Sequence, residues 1–427
     1  MSRADNTLPL AHQNTVPAVA DHAAQFSAEA RAPAVALVDD RVVSAPAKRF
    51  VATRLARLDD PFVKVAAGWA MSPFHSPSFL KTMFETLGAA QGAEMVLIAV
   101  ADAAGTPAAL FPFTLLREGR LRVLEGMGLG VADYYVPLTA PGPTPTAAQS
   151  SQMWHAVLKA LPPADMLRLR NVPRQSVGRP HALTEASFLV PMGHNATTVV
   201  FKNAAGQPIY DIKSLSLNRP LRKWIRRLEG EFGKVSFGAG ETLTELNELL
   251  EAMVAYRRAR FASLGRQDML ADPAAIAFYR GLALPDAGPP LARVYGLRAG
   301  SEIVGVIYGV QSGDTFTSLI SSMSPDPKYQ RSSPGIMAMY FAIEDCLARG
   351  NRAYDLSIGE LSYKSRFDGE LVELFEYRRA LSPRGVLPVL KGRLRTSVRV
   401  FLRRHPDLAA RLRPNREAPK PAEPEAQ

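Results

Sequence analysis

The stretch of sequence that decides the fold is "ARVYGLRAGSEIVGVIYGVQSGDTFTSLISSM", residues 292–323. It consists of three runs rich in valine, isoleucine, tyrosine and threonine, separated by glycine-containing turns at residues 299–301 and 312–314. β-Branched and aromatic residues are typical of strands, and short turns of this kind join neighbouring antiparallel strands. The stretch therefore predicts a three-stranded antiparallel meander.

A helix is predicted directly after the meander, in "SSPGIMAMYFAIEDCLARG" (332–350). Ser333 is suited to cap it, Pro334 to occupy its first position and Gly350 to end it in a left-handed conformation. The first amide N–H groups of such a helix lack partners and carry the positive end of its dipole, so they suit a phosphate. The chain's single cysteine, Cys346, lies inside this apolar pattern, and we expect it to be a buried core residue.

A strand with a polar end follows the helix, in "YDLSIGELSYKSRFDGE" (354–370). Because a helix separates this strand from the meander, we expect it to run parallel to the last meander strand. The edges of two such strands can diverge and admit a ligand. The segment after Gly359 is polar and aromatic, so it is either the edge of an active site or a charged connection between core elements.

The rest of the chain predicts further helices and strands around this unit. Thr242 and Glu245 form a capping box that starts a helix over 242–261. The segment 213–234 predicts an amphipathic helix with a basic outer side, which is either solvated or turned towards an anionic ligand, a membrane or another domain. Residues 94–128 predict three more strands of a separate mixed unit.

These patterns predict an α/β protein of the α+β type, with two units that each contain a mixed, mostly antiparallel sheet flanked by helices. We expect a disordered N-terminal extension over 1–48, an N-terminal domain over 49–200 and a C-terminal domain over 201–385. Residues 386–427 are expected to form a basic helical tail.

The composition is typical of a soluble globular protein, with 47% hydrophobic and 21% charged residues among 427. The formal net charge of +11 is concentrated in two segments, residues 213–234 and 384–416. Anionic lipid or cofactor phosphates would suit these segments, whereas no zinc-finger spacing or ribonucleoprotein motif supports nucleic-acid binding. The chain shows no secretory signal and no apolar run long enough to span a membrane. Cytoplasmic residence is therefore expected, with association at the inner face of the membrane through the basic tail.

The order of helix, meander, phosphate-suited turn, helix, strand and polar aromatic segment resembles the GNAT acyltransferase fold. "SPG" at a helix start, "YDLSIGELSYKSRF" and the upstream "LRKWIRRLEGEFGKVSF" are similar to the GNAT-type acetyltransferases of cellulose and exopolysaccharide biosynthesis, the CelD group. "SPFHSPSFL" and "VADYYVPL" (131–138) in the first unit also resemble segments of that group. The resemblance covers roughly residues 50–380, and the group resembles the Fem-type aminoacyl transferases, which pair two GNAT-like units.

The resemblance implies that an acyl-CoA is the co-substrate, and no metal is expected because the seven histidines show no metal-ligand spacing. In the family, the turn before the central helix holds the coenzyme pyrophosphate. This turn departs from the usual glycine-rich pattern, since Ser-Ser-Pro-Gly replaces it and Pro334 lacks an amide donor. The implied coenzyme-binding residues are Gln330, Arg331, Ser332, Ser333 and Gly335.

The resemblance also implies catalytic residues beyond the strand. Tyr363 matches the region of the family's acid for the departing thiolate, and Asp355 and Glu360 are the candidate carboxylates for a base or for substrate binding. Lys364 and Arg366 are candidates to bind an anionic substrate or coenzyme phosphates. Three of these residues have a structural alternative: Asp355 as a tie for the strand end or a partner of Lys364, Tyr363 as a packed aromatic, and Arg366 as a surface ion-pair partner.

Three functions remain open at this point. The first is an acyl-CoA-dependent N- or O-acyltransferase that acts on a glycan precursor or a similar polar small molecule. The second is a Fem-like transferase that uses aminoacyl-tRNA, and the third is a non-catalytic assembly partner in an envelope polysaccharide pathway.

In the tail, residues 390–412 predict a basic amphipathic helix, which either lies on an anionic membrane or docks on the protein with its arginines outward.

Overall fold

A mixed β-sheet of 13 strands runs through the part of the chain that the structure describes. The structure is a computed structural model, and it describes residues 50–405 apart from 70–71, 177, 287 and 360. The described strands are β1 (Phe50–Leu55), β2 (Glu94–Asp102), β3 (Pro107–Glu118), β4 (Leu121–Gly126), β5 (Leu138–Thr139), β6 (Met166–Pro173), β7 (Gln175–Ser176), β8 (Arg179–Pro180), β9 (Val190–Val200), β10 (Val235–Ala239), β11 (Ala292–Ala299), β12 (Glu302–Ser312), β13 (Thr315–Met323), β14 (Ala353–Ile358) and β15 (Glu370–Ala380). Only β7 and β8 lie outside the large sheet, as a separate pair.

Helices cover both faces of the sheet. The described α-helices are α1 (Pro61–Ala67), α2 (Pro77–Met83), α3 (Ala147–Ala160), α4 (Asn218–Phe232), α5 (Leu243–Ser263), α6 (Pro273–Ala283), α7 (Pro327–Gln330), α8 (Pro334–Ala348) and α9 (Pro383–Arg404). Short 3₁₀ segments lie at Pro73–His75, Ile212–Ser214, Met269–Ala271 and Lys364–Phe367, and a π-helical turn at Phe84–Gly88 extends α2. Among the described helices, none is long and apolar enough to cross a membrane.

The sheet is mostly antiparallel and contains two parallel pairs, β4 with β6 and β13 with β14. Its strand order is β1-β2-β3-β4-β6-β15-β9-β14-β13-β12-β11-β10, with β5 added beside β3. The predicted α/β class, a mixed and mostly antiparallel sheet flanked by helices, is confirmed. The meander over 292–323 and the parallel return of the next strand are confirmed as well.

Two strands are exchanged between the halves of the sheet. β9, which ends the N-terminal half in sequence, pairs with β14, and β15, which comes from the C-terminal half, pairs with β6. β9 and β15 also pair with each other, so they form the centre of the sheet. The domain boundary at 200/201 stays a prediction, and it falls at the end of β9.

The two faces of the C-terminal half have different helices. On one face, α5 and α6 pack through Leu249, Met253 and Phe278 onto strand residues that include Val306 and Tyr308. On the other face, α4 and α8 pack onto the alternate strand residues, as Ile307 shows. Since successive side chains of a strand point to opposite faces, α5 and α8 lie on opposite sides of the sheet.

The start of α8 differs from the prediction in one detail. Ser333 was expected to cap the helix with its side chain, but that expectation is wrong: Ser333 adopts a left-handed conformation with φ +46° and makes no capping side-chain hydrogen bond. Its carbonyl oxygen accepts the amides of Ile336 and Met337 instead. Pro334 opens the helix as predicted, Gly350 follows its end with φ +80°, and Cys346 is buried.

The described part of the predicted basic tail is α9, which packs on β15, β9 and β6. The Thr396 hydroxyl donates to the buried Glu376 carboxylate at 2.7 Å, and Arg393 donates to the Arg378 carbonyl at 2.9 Å. Residues 406–427, like the predicted extension over 1–48, lie outside the described residues.

The strand exchange predicts that β15 stabilises the N-terminal half. Phe375 is 7% exposed, packs into the core of that half and lies under Arg174, whose guanidinium carbon is 4.2 Å from the ring centroid. Phe375→Ala should therefore lower the free energy of unfolding by ~3–5 kcal/mol, measured by urea denaturation. Leu371→Ala is the control on the same strand, since Leu371 is 62% exposed and should change stability by less than ~0.5 kcal/mol. An unchanged stability of Phe375→Ala would contradict the exchange.

Candidate active site between β13 and β14

The two parallel strands of the C-terminal half separate after a short pairing. Only residues 315–317 of β13 pair with residues 353–355 of β14. A register irregularity between Tyr308 and Gly309 where β12 meets β13 accompanies the separation. The main chain of β13 beyond Thr317 therefore faces a gap instead of a neighbouring strand. Backbone N–H groups along such an edge can donate hydrogen bonds to a ligand.

A cavity of about 530 Å³ occupies this gap. It is lined from one side by α5 residues and from the other by the first turns of α8, so it passes through the sheet between the two strands. Its polar and charged lining residues are Asp133, Arg257, Arg260, Arg266, Ser318, Ser321, Gln330, Ser333, Ser357, Tyr363 and Lys364. Two ligands could therefore approach one another through the gap from opposite faces.

The N-terminus of α8 forms one end of the cavity. Ser333 and Gly335 line it, and a side chain at Gly335 would place its Cβ 3.2 Å from the Met323 sulfur. Gln330 also lines it, with its side-chain amide donating to the Ser324 carbonyl at 2.7 Å. A side chain at position 335 would therefore crowd Met323 at the cavity wall beside the helix end.

Basic groups surround this helix end without lining the cavity. Arg331 is exposed, and its carbonyl accepts from the Arg227 guanidinium of α4 at 3.3 Å. Lys328 is also exposed and pairs with Asp326 at 3.0 Å. Ser332 is fully buried, and its hydroxyl has no hydrogen-bond partner among the described residues. The turn before α8 is thus electropositive, and α4 contributes to it.

The end of β14 is held in an uncommon conformation. Ser357 has φ +63°, which is strained for a residue with a β-carbon, and the β14–β9 register shifts between Asp355 and Ile358. The Lys364 ammonium donates to the carbonyls of Ser357 and Ile358, both at 2.9 Å. Lys364 is buried and therefore fixes the end of β14 instead of projecting into solvent.

Two carboxyl groups from opposite halves of the chain meet at this strand end. The Ser357 hydroxyl donates a short hydrogen bond to Asp133, which comes from the loop after β4. Asp355 accepts from the Tyr134 hydroxyl at 3.0 Å, the Ser357 amide at 2.8 Å and the Thr198 hydroxyl at 3.4 Å. Asp133 lines the cavity, whereas Asp355 does not, and all three of these hydrogen bonds go to its Oδ1 atom.

The burial of this cluster shifts its ionisation towards neutral pH. Burial raises the pKa of Asp133 to about 6, opposed by the Ser357 hydrogen bond and the nearby charges of Lys364 and Arg257. Burial likewise raises the pKa of Asp355 to about 6. Desolvation lowers the pKa of Lys364 to about 8, opposed by the two carboxylates. A carboxyl with a pKa near 6 is ionised at pH 7 and is still basic enough to accept a proton in catalysis.

Tyr363 lies at the cavity, half-buried, at the start of the turn that follows β14. Burial raises the pKa of its phenol above the usual value, so the hydroxyl keeps its proton at neutral pH. Part of its ring packs against the core beside α8. The position permits both roles that the sequence left open, a proton donor and a packed aromatic.

The structure brings together some of the predicted site residues. Gln330, Ser333, Gly335, Tyr363 and Lys364 all line the cavity. The other predicted residues do not line it: Arg331 and Arg366 are exposed, Ser332 and Asp355 are buried beside it, and Glu360 lies outside the described residues. Their predicted roles stay predictions.

The sequence reasoning missed Asp133 as a site residue, although it belongs to "VADYYVPL", a segment singled out for its family resemblance. It also missed Arg257 and Arg260 of α5 and Arg266 after it, whose local pattern predicts only a helix and its end. Among the described residues, no group of three His, Cys, Asp or Glu side chains is placed to hold a metal ion.

Part of the chain matches a known protein family. Residues 216–365 match the family model described as an acetyltransferase (GNAT) domain. This match contains α4 to α8, β14 and the cavity's α5 and α8 residues. Residues 216–365 of the chain are thus similar to a GNAT acetyltransferase domain.

Among solved structures, FemX is similar to the chain with a TM-score of 0.50 and 9% identity, over 76% of this chain and 96% of FemX. This likeness concerns the fold alone. A tandem GNAT protein from the clavulanic acid biosynthesis pathway is similar with a TM-score of 0.40, 11% identity and coverage of 78% and 99%. A GCN5-related N-acetyltransferase from Sphaerobacter thermophilus is similar with a TM-score of 0.38, 13% identity and coverage of 79% and 97%. A comparison with curated protein sequences finds no significant match.

Proposed function

We propose that the protein transfers an acyl group from an acyl-CoA to an amine or hydroxyl group of a polar acceptor. The observation that carries the proposal is the cavity that crosses the sheet between β13 and β14, with the N-terminus of α8 at one end and a buried carboxylate at its wall. The GNAT match over residues 216–365 supports acyl transfer as the reaction.

The coenzyme enters from the α8 face. Its pyrophosphate lies against the helix end at Gly335, where the helix dipole and the unpaired amides favour negative charge. Arg227, Lys328 and Arg331 around that end add positive potential. The thioester then reaches into the gap, where main-chain N–H groups on the open edge of β13 stabilise the oxyanion.

The acceptor approaches from the α5 face and attacks the thioester carbon. The Asp133 carboxylate takes the proton that the nucleophile loses as the new C–N or C–O bond forms. The C–S bond breaks as the tetrahedral intermediate collapses, and the Tyr363 hydroxyl gives its proton to the leaving thiolate. Asp355, Tyr134 and Lys364 position this cluster without touching the reacting atoms. Exchange with solvent restores both proton carriers.

The acceptor is proposed to belong to cellulose or exopolysaccharide biosynthesis, on the resemblance of "YDLSIGELSYKSRF" and "VADYYVPL" to the CelD group. A Fem-like transfer from aminoacyl-tRNA is the second candidate, favoured by the fold similarity to FemX and by the basic surface of α4. Binding of acetyl-CoA distinguishes the two, since only the first candidate needs it.

Acetyl-CoA should bind the protein in a saturable manner, as measured by isothermal titration calorimetry. Gly335→Trp fills the space before α8 and should weaken that binding by at least ~100-fold, because the helix end is no longer reachable. The matched control is Gly230→Trp on the exposed surface of α4, where a Cβ would meet nothing within 4 Å. Absence of acetyl-CoA binding by the unmodified protein, with tRNA binding present, would favour the second candidate.

The rate of acyl transfer to an amine acceptor can be measured from the appearance of the free CoA thiol. This rate should rise with pH through about 6 as Asp133 loses its proton. Asp133→Asn should lower kcat by ~100-fold or more, the usual contribution of general-base catalysis, and should abolish this rise. Binding of acetyl-CoA should be unchanged, because Asp133 lies away from the α8 end.

Tyr363→Phe separates the two roles of the phenol. If Tyr363 is the acid, kcat falls while the rise near pH 6 remains. Full activity of Tyr363→Phe would make the residue a packed aromatic, and full activity of Asp133→Asn would contradict its role as base.

A further inference from the structure

Three arginines on the α5 face of the cavity have no role in the proposed reaction. Arg257, Arg260 and Arg266 all line the cavity, and all come from the C-terminal turns of α5 or the segment after it. They lie on the opposite side of the sheet from the N-terminus of α8. The site for coenzyme phosphates and this group of arginines are therefore on opposite faces.

The three arginines are not equivalent. Arg257 is paired with Asp268 at 2.7 Å and lies 4.6 Å from the centroid of the Phe261 ring, so its position is fixed. Arg260 and Arg266 are exposed at the cavity rim, and among the described residues neither lies within ion-pair distance of a carboxylate. Arg260 lines the same cavity as Tyr363.

The acceptor side of the cavity therefore has a net positive charge, because Arg260 and Arg266 have no carboxylate partner among the described residues. Asp133 is the acidic residue of the lining, and its carboxylate accepts a hydrogen bond from Ser357. Guanidinium groups bind phosphate and carboxylate through paired hydrogen bonds, which are stronger than neutral ones. Phe261 and Leu264, between the arginines, provide an apolar wall for the acceptor's carbon skeleton.

We propose that the acceptor carries a phosphate or carboxylate group, which Arg260 and Arg266 bind so that its amine or hydroxyl points to Asp133. The proposal rests on the proposed acyl transfer and names the chemical class of its acceptor. Arg257 holds α5 in place beside them. Lys364, predicted to bind an anionic substrate, is instead engaged with backbone carbonyls.

Three small amines test the proposal: O-phosphoethanolamine, β-alanine and ethanolamine, in which two methylene groups join the amine to a phosphate, a carboxylate and a hydroxyl group, respectively. Each is titrated into the protein saturated with CoA, so that the coenzyme's phosphate site is filled. At least one of the two anionic compounds should bind, and ethanolamine should bind at least ~10-fold more weakly. The first two compounds show whether phosphate or carboxylate is preferred.

The variant Arg260→Gln/Arg266→Gln should weaken binding of the preferred anion by at least ~30-fold, as expected for the loss of two charge-assisted contacts, and leave CoA binding unchanged. The control Arg117→Gln/Arg120→Gln removes two exposed arginines of the β3–β4 hairpin and should change neither. Equal binding of ethanolamine, failure of both anions to bind, or loss of CoA binding in the cavity variant would overturn the proposal.

Failure of the proposed function gives a different result. If the unmodified protein does not bind CoA, the acyl-CoA reaction is wrong. The same titrations without CoA then still decide whether the two arginines form an anion site.

The large apolar residues of α9 face away from the protein, although a helix that only docks on the protein would bury them. Its buried positions are small or polar, namely Gly385, Gly392 and Thr396, together with Val389. Large apolar residues are exposed on the opposite side: Leu387 (59%), Leu390 (55%), Leu394 (66%), Val398 (47%) and Phe401 (51%). Their spacing of three and four residues places them on one stripe along the helix.

Basic residues flank this stripe on both sides. At 3.6 residues per turn, Lys391 and Arg395 lie on one flank and Arg393 and Arg404 on the other, and all are exposed. An apolar stripe between two basic flanks is complementary to an anionic lipid surface, with the stripe in the acyl boundary and the basic groups at the headgroups. We infer that α9 binds the protein peripherally to an anionic membrane.

Sedimentation with phosphatidylcholine vesicles that contain roughly one third phosphatidylglycerol tests this inference. The protein should sediment with these vesicles and not with pure phosphatidylcholine. Leu390→Ser/Leu394→Ser should reduce binding by at least ~5-fold, whereas Ile209→Ser/Leu371→Ser, which changes two exposed apolar residues elsewhere, should not. Equal sedimentation of both variants, or a dimer that the first variant dissociates, would overturn it.

Discussion

The separation of β13 from β14 after Thr317 is the constraint on which the rest of the site depends. A parallel pair that continued along its full length would close the sheet, and no ligand could pass through it. The strands are kept apart by the strained turn at Ser357, which Lys364 and the buried carboxyl groups hold in place. The hydrogen bonds that Ser357 makes through its amide, hydroxyl and carbonyl groups offset the strain of its conformation.

That turn also depends on the joining of the two halves of the chain in one sheet. Asp133 and Tyr134 come from the loop after β4, and they reach β14 because β9 and β15 cross between the halves. The N-terminal half thus supplies part of the wall of the C-terminal cavity. Burying two carboxyl groups beside one ammonium group is costly for folding, and their raised pKa values reflect that cost. Such a cost is commonly retained where the groups perform chemistry.

The sequence predicted those elements whose signals are local. The meander, the parallel return of β14, the proline at the start of α8 and the buried Cys346 all follow from periodicity and punctuation within short windows. The placement of Gly335 at the cavity follows from the order of those elements, whereas Tyr363 was implied by the family resemblance. The strand exchange could not be predicted in this way, because a strand's pattern shows that it pairs but not with which partner.

The same limit applies to the site residues that were missed. Asp133 lies more than 200 residues before Ser357, and its local sequence pattern does not predict a contact between the two residues. The left-handed Ser333 is set by the packing of the turn, which overrides the usual capping preference of serine. The arginines of α5 look like an ordinary solvated helix end until the sheet brings them to the far mouth of the cavity.

A crystal structure of the protein with bound CoA is the most direct measurement of the central claim, that the open edge of β13 is where the thioester reacts. The account predicts the pyrophosphate at Gly335 and the thiol in the gap between β13 and β14, within reach of Tyr363 and on the side of the gap facing Asp133. A coenzyme bound elsewhere on the protein, or a gap that remains empty while CoA is bound, would contradict it.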